Sequence, residues 1–205
     1  LETVEILNAQ GSGHFRMPVQ LVNRPNPEFR GYGGRGAQGE GRPGDPVRIA
    51  SSGVTTRIKG IWRGFDPAET ARTGDSITLT LADEVDVGRG DVLTPADAPI
   101  ESADQFEAHL LWLHEHSMSP GRQYLMKLGT RETPATITSI KYRVDIDTGA
   151  HLSAKSLDMN DIARVTLSTG ALVSFEPYAD NRSLGGFILI DRLTFEAVGA
   201  VAVGA

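Results

Sequence analysis

The stretch "RTGDSITLTL", residues 72–81, decides the fold class. It joins a Gly-Asp turn to a run in which Ile77, Leu79 and Leu81 alternate with hydroxyl residues. Glycine readily adopts the positive φ of a tight turn, and an Asp side chain can accept hydrogen bonds from nearby backbone amides. Alternation with a period of two is typical of a half-buried β-strand. The stretch therefore predicts a turn that leads directly into a strand.

The same pattern occurs twice more in the first half of the chain. "RPGD", residues 42–45, precedes "PVRIA", and "GRGD", residues 88–91, precedes "VLT". The third copy contains Arg89-Gly90-Asp91, a tripeptide known as a cell-adhesion signal. Short motif matches are often accidental, and the series already accounts for this one. We interpret Arg89-Gly90-Asp91 as a turn.

Outward from these turns, short apolar runs alternate with turn residues along the whole chain. Eleven such runs, among them "HFRMPVQLV" (14–22) and "ATITSIKYRV" (135–144), predict antiparallel sheets closed into barrels or sandwiches. The segment from Thr94 to Gln105 is rich in Pro, Ala and acidic residues, and we interpret it as a linker between two β domains. Helical turns are expected only within this linker and around "SLDMND", residues 156–161.

Composition and charge narrow the function classes. With 205 residues and 40% hydrophobic content, the chain can build one large core or two small ones. The net charge of −6 argues against a general nucleic-acid binder, although residues 1–72 carry ten Lys/Arg against seven Asp/Glu. The absence of cysteine excludes disulfides and thiolate metal sites. No signal peptide or long apolar run is found, so we expect a cytoplasmic protein without a membrane partner. The chain begins "LETVEI", without Met, as expected of a piece of a longer protein.

Motifs that could carry chemistry are weak. "GYGGRG", residues 31–36, matches a dinucleotide-binding pattern, but the glycines and proline that follow prevent the required helix, so a glycine-bent strand pair is favoured. His109, His114 and His116 could in principle bind a metal, but only His114 and His116 would share a strand face. No third ligand occurs at a motif spacing, so strand-end histidines are favoured over a zinc site. No Gly-Lys dipeptide occurs, so no phosphate-binding loop is expected. We therefore predict no catalytic, cofactor-binding or metal-binding residue.

Longer stretches resemble a known superfamily. "FRGYGGRGAQGEGRPGDPVRI", "RTGDSITLTL" and "DVGRGDVL" resemble the second domain of translation-factor-type GTPases such as elongation factor Tu, and "DIARVTLSTG" and "LGGFILIDRLTFEAVGA" resemble the third. The resemblance implies an all-β fold of two consecutive antiparallel Greek-key β-barrels. The expected barrels span about residues 8–96 and 104–200.

Within that superfamily, three stretches resemble the GTP-hydrolysing large subunit of bacterial sulfate adenylyltransferase (ATP sulfurylase). They are "FRMPVQLVNRPNPEFRGYGG", "SPGRQYLMKLGTRETPATITSIKYRVDIDTG" and "NRSLGGFILIDRLTFEAVGA". "LETVEI" resembles the segment that follows that subunit's GTPase domain. The resemblance implies non-catalytic barrels in a parent chain whose GTPase domain binds GTP and Mg²⁺. It also implies a small catalytic subunit as partner, which makes adenylyl sulfate and pyrophosphate from ATP and sulfate.

The alternative function is that of tRNA-binding barrels in a translation elongation GTPase. The acidic net charge and an aromatic content of 6% argue against nucleic acid and favour the sulfate adenylyltransferase assignment.

The interface candidates lie where the first half carries its basic excess. They are Arg24, Asn26, Arg30 and Arg35. We expect a loop here, stiffened by two prolines, that loses little entropy on docking. Arginine offers fixed donors for carboxylates or phosphates, so Arg24 and Arg30 are expected to face the GTPase domain or the small subunit. The alternative is that these arginines are only solvated.

Overall fold

The computed structural model describes residues 13–204. The segment "LETVEI" and the expected start of the first barrel at residue 8 lie outside the described residues. The chain divides into two compact units between Pro99 and Ile100. Within residues 13–204 nearly all regular structure is β-strand, as the alternating apolar runs predict.

The first unit is a closed antiparallel β-barrel. Its strands are β1 (Met17–Asn26), β2 (Phe29–Arg35), β3 (Glu40–Gly41), β4 (Pro46–Ile49), β5 (Thr55–Arg63), β6 (Asp66–Ala68), β7 (Ala71–Arg72), β8 (Ser76–Leu81) and β9 (Val92–Pro95). The sheet runs in the order β4-β9-β1-β2-β8-β5-β6, and β4 also pairs with β5. That pairing closes a ring of six strands, while β6 lies outside the ring and β3 pairs with β7 alone.

The second unit is built in the same way. Its elements are β10 (Glu101–Trp112), β11 (Gln123–Leu128), β12 (Arg131–Val144), β13 (His151–Leu152), β14 (Ile162–Phe175), α1 (Arg182–Gly185), β15 (Gly186–Ile190) and β16 (Ala197–Val203). The sheet runs in the order β11-β15-β16-β10-β14-β12-β13, and β11 also pairs with β12. A second ring of six antiparallel strands results.

Each barrel encloses its own apolar core. In β8, Ile77, Leu79 and Leu81 point inward and are buried, as the period-two pattern predicts. The second core includes the fully buried Leu110 and Met126. Since apolar burial is the main force that stabilises a fold, the two cores give each unit its own source of stability.

The three Gly-Asp turns share one geometry. The glycine has a φ of +94°, +87° or +95°, in the range that glycine adopts without steric cost. The Asp carboxylate accepts a hydrogen bond from the backbone N–H three residues earlier. These bonds join Arg42 to Asp45 (2.8 Å), Arg72 to Asp75 (3.0 Å) and Gly88 to Asp91 (2.8 Å). Ser51 Oγ also donates to Asp91 Oδ1 at 2.6 Å, so the second carboxylate oxygen of Asp91 joins this turn to the segment between β4 and β5.

The predicted linker is wrong at both ends. Thr94 and Pro95 belong to β9, and Glu101 to Gln105 belong to β10. Ala103 pairs with Val173, and Gln105 pairs with Ser168. Backbone hydrogen bonding across the second barrel therefore overrides the Pro-, Ala- and acid-rich composition.

The predicted helical turns are also wrong, since neither residues 94–105 nor residues 156–161 contain a helix. The helix that does form, α1, follows Asn181. The side chain of Asn181 accepts hydrogen bonds from the backbone N–H groups of Ser183 and Leu184, in the first helical turn, where N–H groups have no carbonyl four residues earlier in the helix. The Asn181 cap thus starts a single helical turn at a position where the sequence has no apolar periodicity that would predict a helix.

Candidate functional site

The arginine-bearing segment is a β-hairpin, and the predicted loop is wrong. β1 and β2 remain paired up to Asn26 and Phe29, with a register shift between Asn23 and Asn26. Proline has no N–H for the strand ladder, and Pro25 falls within that irregular stretch, where proline is tolerated. The turn is closed by Asn26, whose Oδ1 accepts the N–H groups of Glu28 (3.0 Å) and Phe29 (2.9 Å). We call the tip of this hairpin, together with the adjacent pocket described below, the hairpin surface.

The structure brings three of the four candidates together. Arg24 and Asn26 lie on β1, and Arg30 lies across the turn on β2. Arg24 Nη2 is 3.5 Å from Glu84 Oε1, with side chains 52% and 79% exposed. Arg35 lies at the far end of β2, where its Nε donates to the Gly74 carbonyl at 3.1 Å. Arg35 therefore belongs to the turn at residues 72–75 and not to the hairpin surface.

A pocket of about 290 Å³ lies against the hairpin. Three of its lining side chains are aromatic and five are charged: Phe29, Tyr32, Trp62, Glu28, Arg30, Lys59, Asp83 and Glu84. They come from the β1–β2 turn, β2, β5 and the segment after β8, which become neighbours because β8 pairs with both β2 and β5. Glu84 also joins the pocket to Arg24.

The aromatic side chains form one wall of the pocket. Phe29 and Trp62 make a T-shaped contact with ring centroids 6.2 Å apart, and the Arg30 guanidinium carbon lies 5.6 Å from the Tyr32 ring centroid. Tyr32 Oη donates to the Val85 carbonyl at 3.2 Å. Burial raises the pKa of Tyr32, while the nearby Arg30 opposes the rise, so the phenol stays protonated at neutral pH.

Trp62 stands out because its indole N–H is buried and has no hydrogen-bond partner among residues 13–204. Native proteins leave few buried donors unpaired, since an unpaired donor costs free energy. The indole therefore contributes less to the fold than a paired one would. Aromatic and arginine side chains together are the composition of protein-binding hot spots, so the hairpin surface is suited to docking a protein.

Of the pocket residues, only Arg30 is among the interface candidates predicted from the sequence, and Lys59 and Trp62 are among those missed. Their signal was present in "TTRIKGIWR", where Ile58 and Ile61 are the buried apolar residues of β5 and Trp62 is a large aromatic residue outside that set. An outward tryptophan on a barrel strand is a candidate for binding. The pocket itself could not be predicted from this stretch, because it also needs side chains of β2, more than 25 residues earlier in the chain.

The histidines do not form a metal site within the part of the chain described. His114 Nδ1 accepts the backbone N–H of His116 at 3.0 Å, which fixes that nitrogen in a local turn. No group of three His, Cys, Asp or Glu side chains with the geometry to hold a metal occurs in residues 13–204. Over the same residues, no helix is long and apolar enough to cross a membrane.

Comparisons with known proteins cover nearly the whole chain. Residues 105–204 match the family described as GTP-eEF1A C-terminal domain-like. The chain is 45% identical over 201 residues to the bifunctional enzyme NodQ of Rhizobium sp. (strain N33), covering 98% of this chain and 31% of NodQ. It is 42% identical over 200 residues to sulfate adenylyltransferase subunit 1 of Saccharophagus degradans, covering 98% of this chain and 42% of that protein. The chain thus spans 31% to 42% of the length of these two relatives.

Solved structures agree on the fold. Sup35 complexed with GMPPNP superimposes with a TM-score of 0.85 at 19% identity, covering 99% of this chain and 50% of Sup35. Sup35 complexed with GDP gives a TM-score of 0.83 at 20% identity, covering 94% of this chain and 47% of Sup35. At such identity the likeness shows the two-barrel fold alone.

Proposed function

Since this chain is similar to sulfate adenylyltransferase subunit 1 and to the NodQ enzymes, we propose that it is the non-catalytic barrel part of a GTP-hydrolysing sulfate adenylyltransferase subunit. The observation that carries the proposal is identity of 42–45% over 98% of the chain to both kinds of relative. The proposal places the chain beside a GTPase domain that binds GTP and Mg²⁺. Its partner is a small catalytic subunit, and its location is the cytoplasm.

The role of such barrels is coupling. Formation of adenylyl sulfate from ATP and sulfate is strongly unfavourable, so a second nucleotide hydrolysis must be linked to it through conformational states shared by two proteins. A part of the protein that makes no bonds can still carry this linkage if it contacts both the GTPase domain and the catalytic subunit. The hairpin surface is the candidate for one of these contacts.

Contacts within the hairpin surface leave its cations free to bind a partner. The Arg24–Glu84 pair is exposed on both sides, and such pairs contribute about 0–1 kcal/mol, so a partner carboxylate can replace Glu84 at little cost. Arg30 stacks on Tyr32, which orients the guanidinium and leaves its N–H groups available. Lys59 forms no ion pair with any described residue.

The test uses the full-length protein together with the catalytic subunit. Arg24→Ala and Arg30→Ala are combined, and GTP-stimulated adenylyl sulfate synthesis is measured. We expect stimulation to fall while the melting temperature stays near that of the wild type, because both side chains are at the surface. The matched control combines Arg42→Ala and Arg182→Ala, since Arg42 pairs with Glu40 at 2.8 Å and Arg182 lies over Tyr178.

Two results would contradict the proposal at different levels. Unchanged stimulation in the Arg24/Arg30 variant would show that the hairpin arginines are only solvated. No adenylyl sulfate synthesis by the wild-type protein with any catalytic subunit would reject the function itself.

A further inference from the structure

The segment between β15 and β16 exposes two large apolar side chains. Leu193 is 84% exposed and Phe195 is 77% exposed. We call residues 191–196 the apolar loop. Single exposed apolar residues are common on protein surfaces, but two that alternate within one short loop are a candidate binding feature.

The apolar loop is held in one shape by its first residue. Asp191 Oδ1 accepts hydrogen bonds from the N–H groups of Leu193 (2.8 Å) and Thr194 (3.2 Å). The backbone of Asp191 bonds to Phe195 N at 3.0 Å and to the Glu196 carbonyl at 2.9 Å. The Asp191 side chain is buried and is also bound by Arg122. Leu193 and Phe195 are therefore presented by a preorganised loop, which loses little conformational entropy when it binds.

Phe195 is unfavourable for the fold in two respects. Its φ of +61° is a conformation that L-amino acids with bulky side chains rarely adopt. The other positive-φ positions in residues 13–204 are ten glycines and Asn160, which are the residue types that tolerate it. Its ring, being mostly exposed, gains little from burial in return. Backbone strain without a structural gain points to a functional role for the side chain.

The surroundings of the apolar loop define what it can bind. Arg192 donates to the amide oxygen of Gln123 and not to a carboxylate, so its charge is not neutralised there. Leu113, 40% exposed, lies at the same end of the barrel, since its N–H donates to the Val198 carbonyl at 2.9 Å. The loop thus combines an apolar tip with a cation beside it.

We propose that the apolar loop docks into an apolar cleft on a partner protein, with Leu193 and Phe195 as the anchors and Arg192 paired to a carboxylate at the mouth of that cleft. A second copy of this chain fits less well, because a two-fold contact centred on the loop would bring Arg192 close to its own copy. The inference goes beyond the hairpin surface, which lies in the other unit. It rests on the proposed function only for the choice of the catalytic subunit as the protein probe.

The test measures binding of the purified catalytic subunit to the full-length protein by calorimetric titration. Phe195→Gly should raise the Kd at least about 30-fold, the change typical of losing a hot-spot side chain. The same variant should melt at the same or a higher temperature, because glycine adopts φ near +60° without strain. Loss of affinity without loss of stability is a combination that a merely structural residue would not give.

Two further variants sharpen the result. Leu193→Ser should also weaken binding, independently of any backbone strain. Phe65→Ala is the matched control, because Phe65 is 99% exposed in the first unit, and its Kd should stay within about twofold of the wild type.

The contrary outcomes are distinct. Wild-type affinity in both Phe195→Gly and Leu193→Ser would overturn the docking proposal and leave the proposed function standing. No binding by the wild-type protein would overturn both. Self-association that depends on concentration and is abolished by Phe195→Gly would overturn the docking proposal, because the occupant would then be a second copy of the chain. Co-sedimentation with anionic vesicles that the same variant abolishes would overturn it by showing a lipid surface as the occupant.

Discussion

At the scale of the residue, single carboxylates fix the shape of several turns. Asp91 does so next to a glycine of positive φ, and this pattern was readable from the sequence because the hydrogen bond spans three residues. The Asp191 carboxylate likewise fixes the shape of the apolar loop by accepting backbone hydrogen bonds, but there the residue with positive φ is Phe195. No sequence pattern predicts a phenylalanine with positive φ, so the conformation of the apolar loop could not be predicted.

Asp191 should make stability depend on pH. Hydrogen bonds from the Leu193 and Thr194 N–H groups lower the pKa of Asp191, with Arg122 acting in the same direction against the effect of burial. The folded state therefore favours the carboxylate. Its contribution is fully present above about pH 4, the ordinary value for Asp, and is lost as the pH falls through the lowered pKa.

The variant Asp191→Asn tests this dependence. At pH 7 it should melt at a lower temperature than the wild type, and the difference should shrink steadily between pH 4 and pH 2. Melting curves recorded by circular dichroism across that range provide the measurement. A difference in melting temperature that stays constant with pH would mean that the charge of Asp191 is not the stabilising feature.

At the scale of the element, the strands were predictable where one face is buried and the other is not. β8 shows this directly, since its three inward residues are its three apolar ones. The tip of the β1–β2 hairpin was not predictable, because its asparagines and prolines are typical of loops and the pairing is supplied by β2. The pocket beside it depends on the contact between Phe29 of β2 and Trp62 of β5, two strands that flank β8, which no local pattern encodes.

The close approach of β1 and β2 depends on Gly34. A Cβ at this position would lie 2.4 Å from the Pro18 carbonyl oxygen and 3.2 Å from the end of the Met17 side chain. Gly34→Ala should therefore separate the two strands and lower the free energy of unfolding by about 1–3 kcal/mol.

Urea unfolding of the two glycine variants measures the effect. Gly88→Ala is the control, because the nearest atom to its new Cβ would be Asp91 Oδ2 at 4.0 Å, and it should change stability by less than about 0.5 kcal/mol. Equal stabilities for the two variants would show that β1 and β2 can move apart without cost.

At the scale of the whole molecule, the two barrels have separate cores and a separate tryptophan each. Trp62 belongs to the first unit, and Trp112 is buried in the second, where its indole N–H donates to the His116 carbonyl at 2.8 Å. The two tryptophans can therefore report on the two units independently. The resemblance predicted this two-barrel plan. The predicted connection, residues 94–105, contains the division between Pro99 and Ile100, but it is longer than the segment between β9 and β10.

Removal of β16 should open one barrel and spare the other. β16 lies between β10 and β15, and Gly199 pairs with Trp112. A chain that stops after Glu196 should expose Trp112 to solvent, seen as a red-shifted emission and stronger acrylamide quenching in a Trp62→Phe background. The emission of Trp62, followed in a Trp112→Phe background, should not change. A shielded Trp112 in the truncated chain would mean that the ring closes without β16.

Ring closure also governs how folded copies of this protein behave when crowded. Within residues 13–204, each strand of the two rings pairs with a neighbouring strand on both sides over at least part of its length, which limits the edge available for strand addition by a neighbouring chain. The strands that end the two sheets, β6 and β13, have three and two residues. Amyloid-forming segments need about six residues, so these two terminal strands are too short to start cross-β assembly, and we expect its rate to follow the unfolding of the barrels.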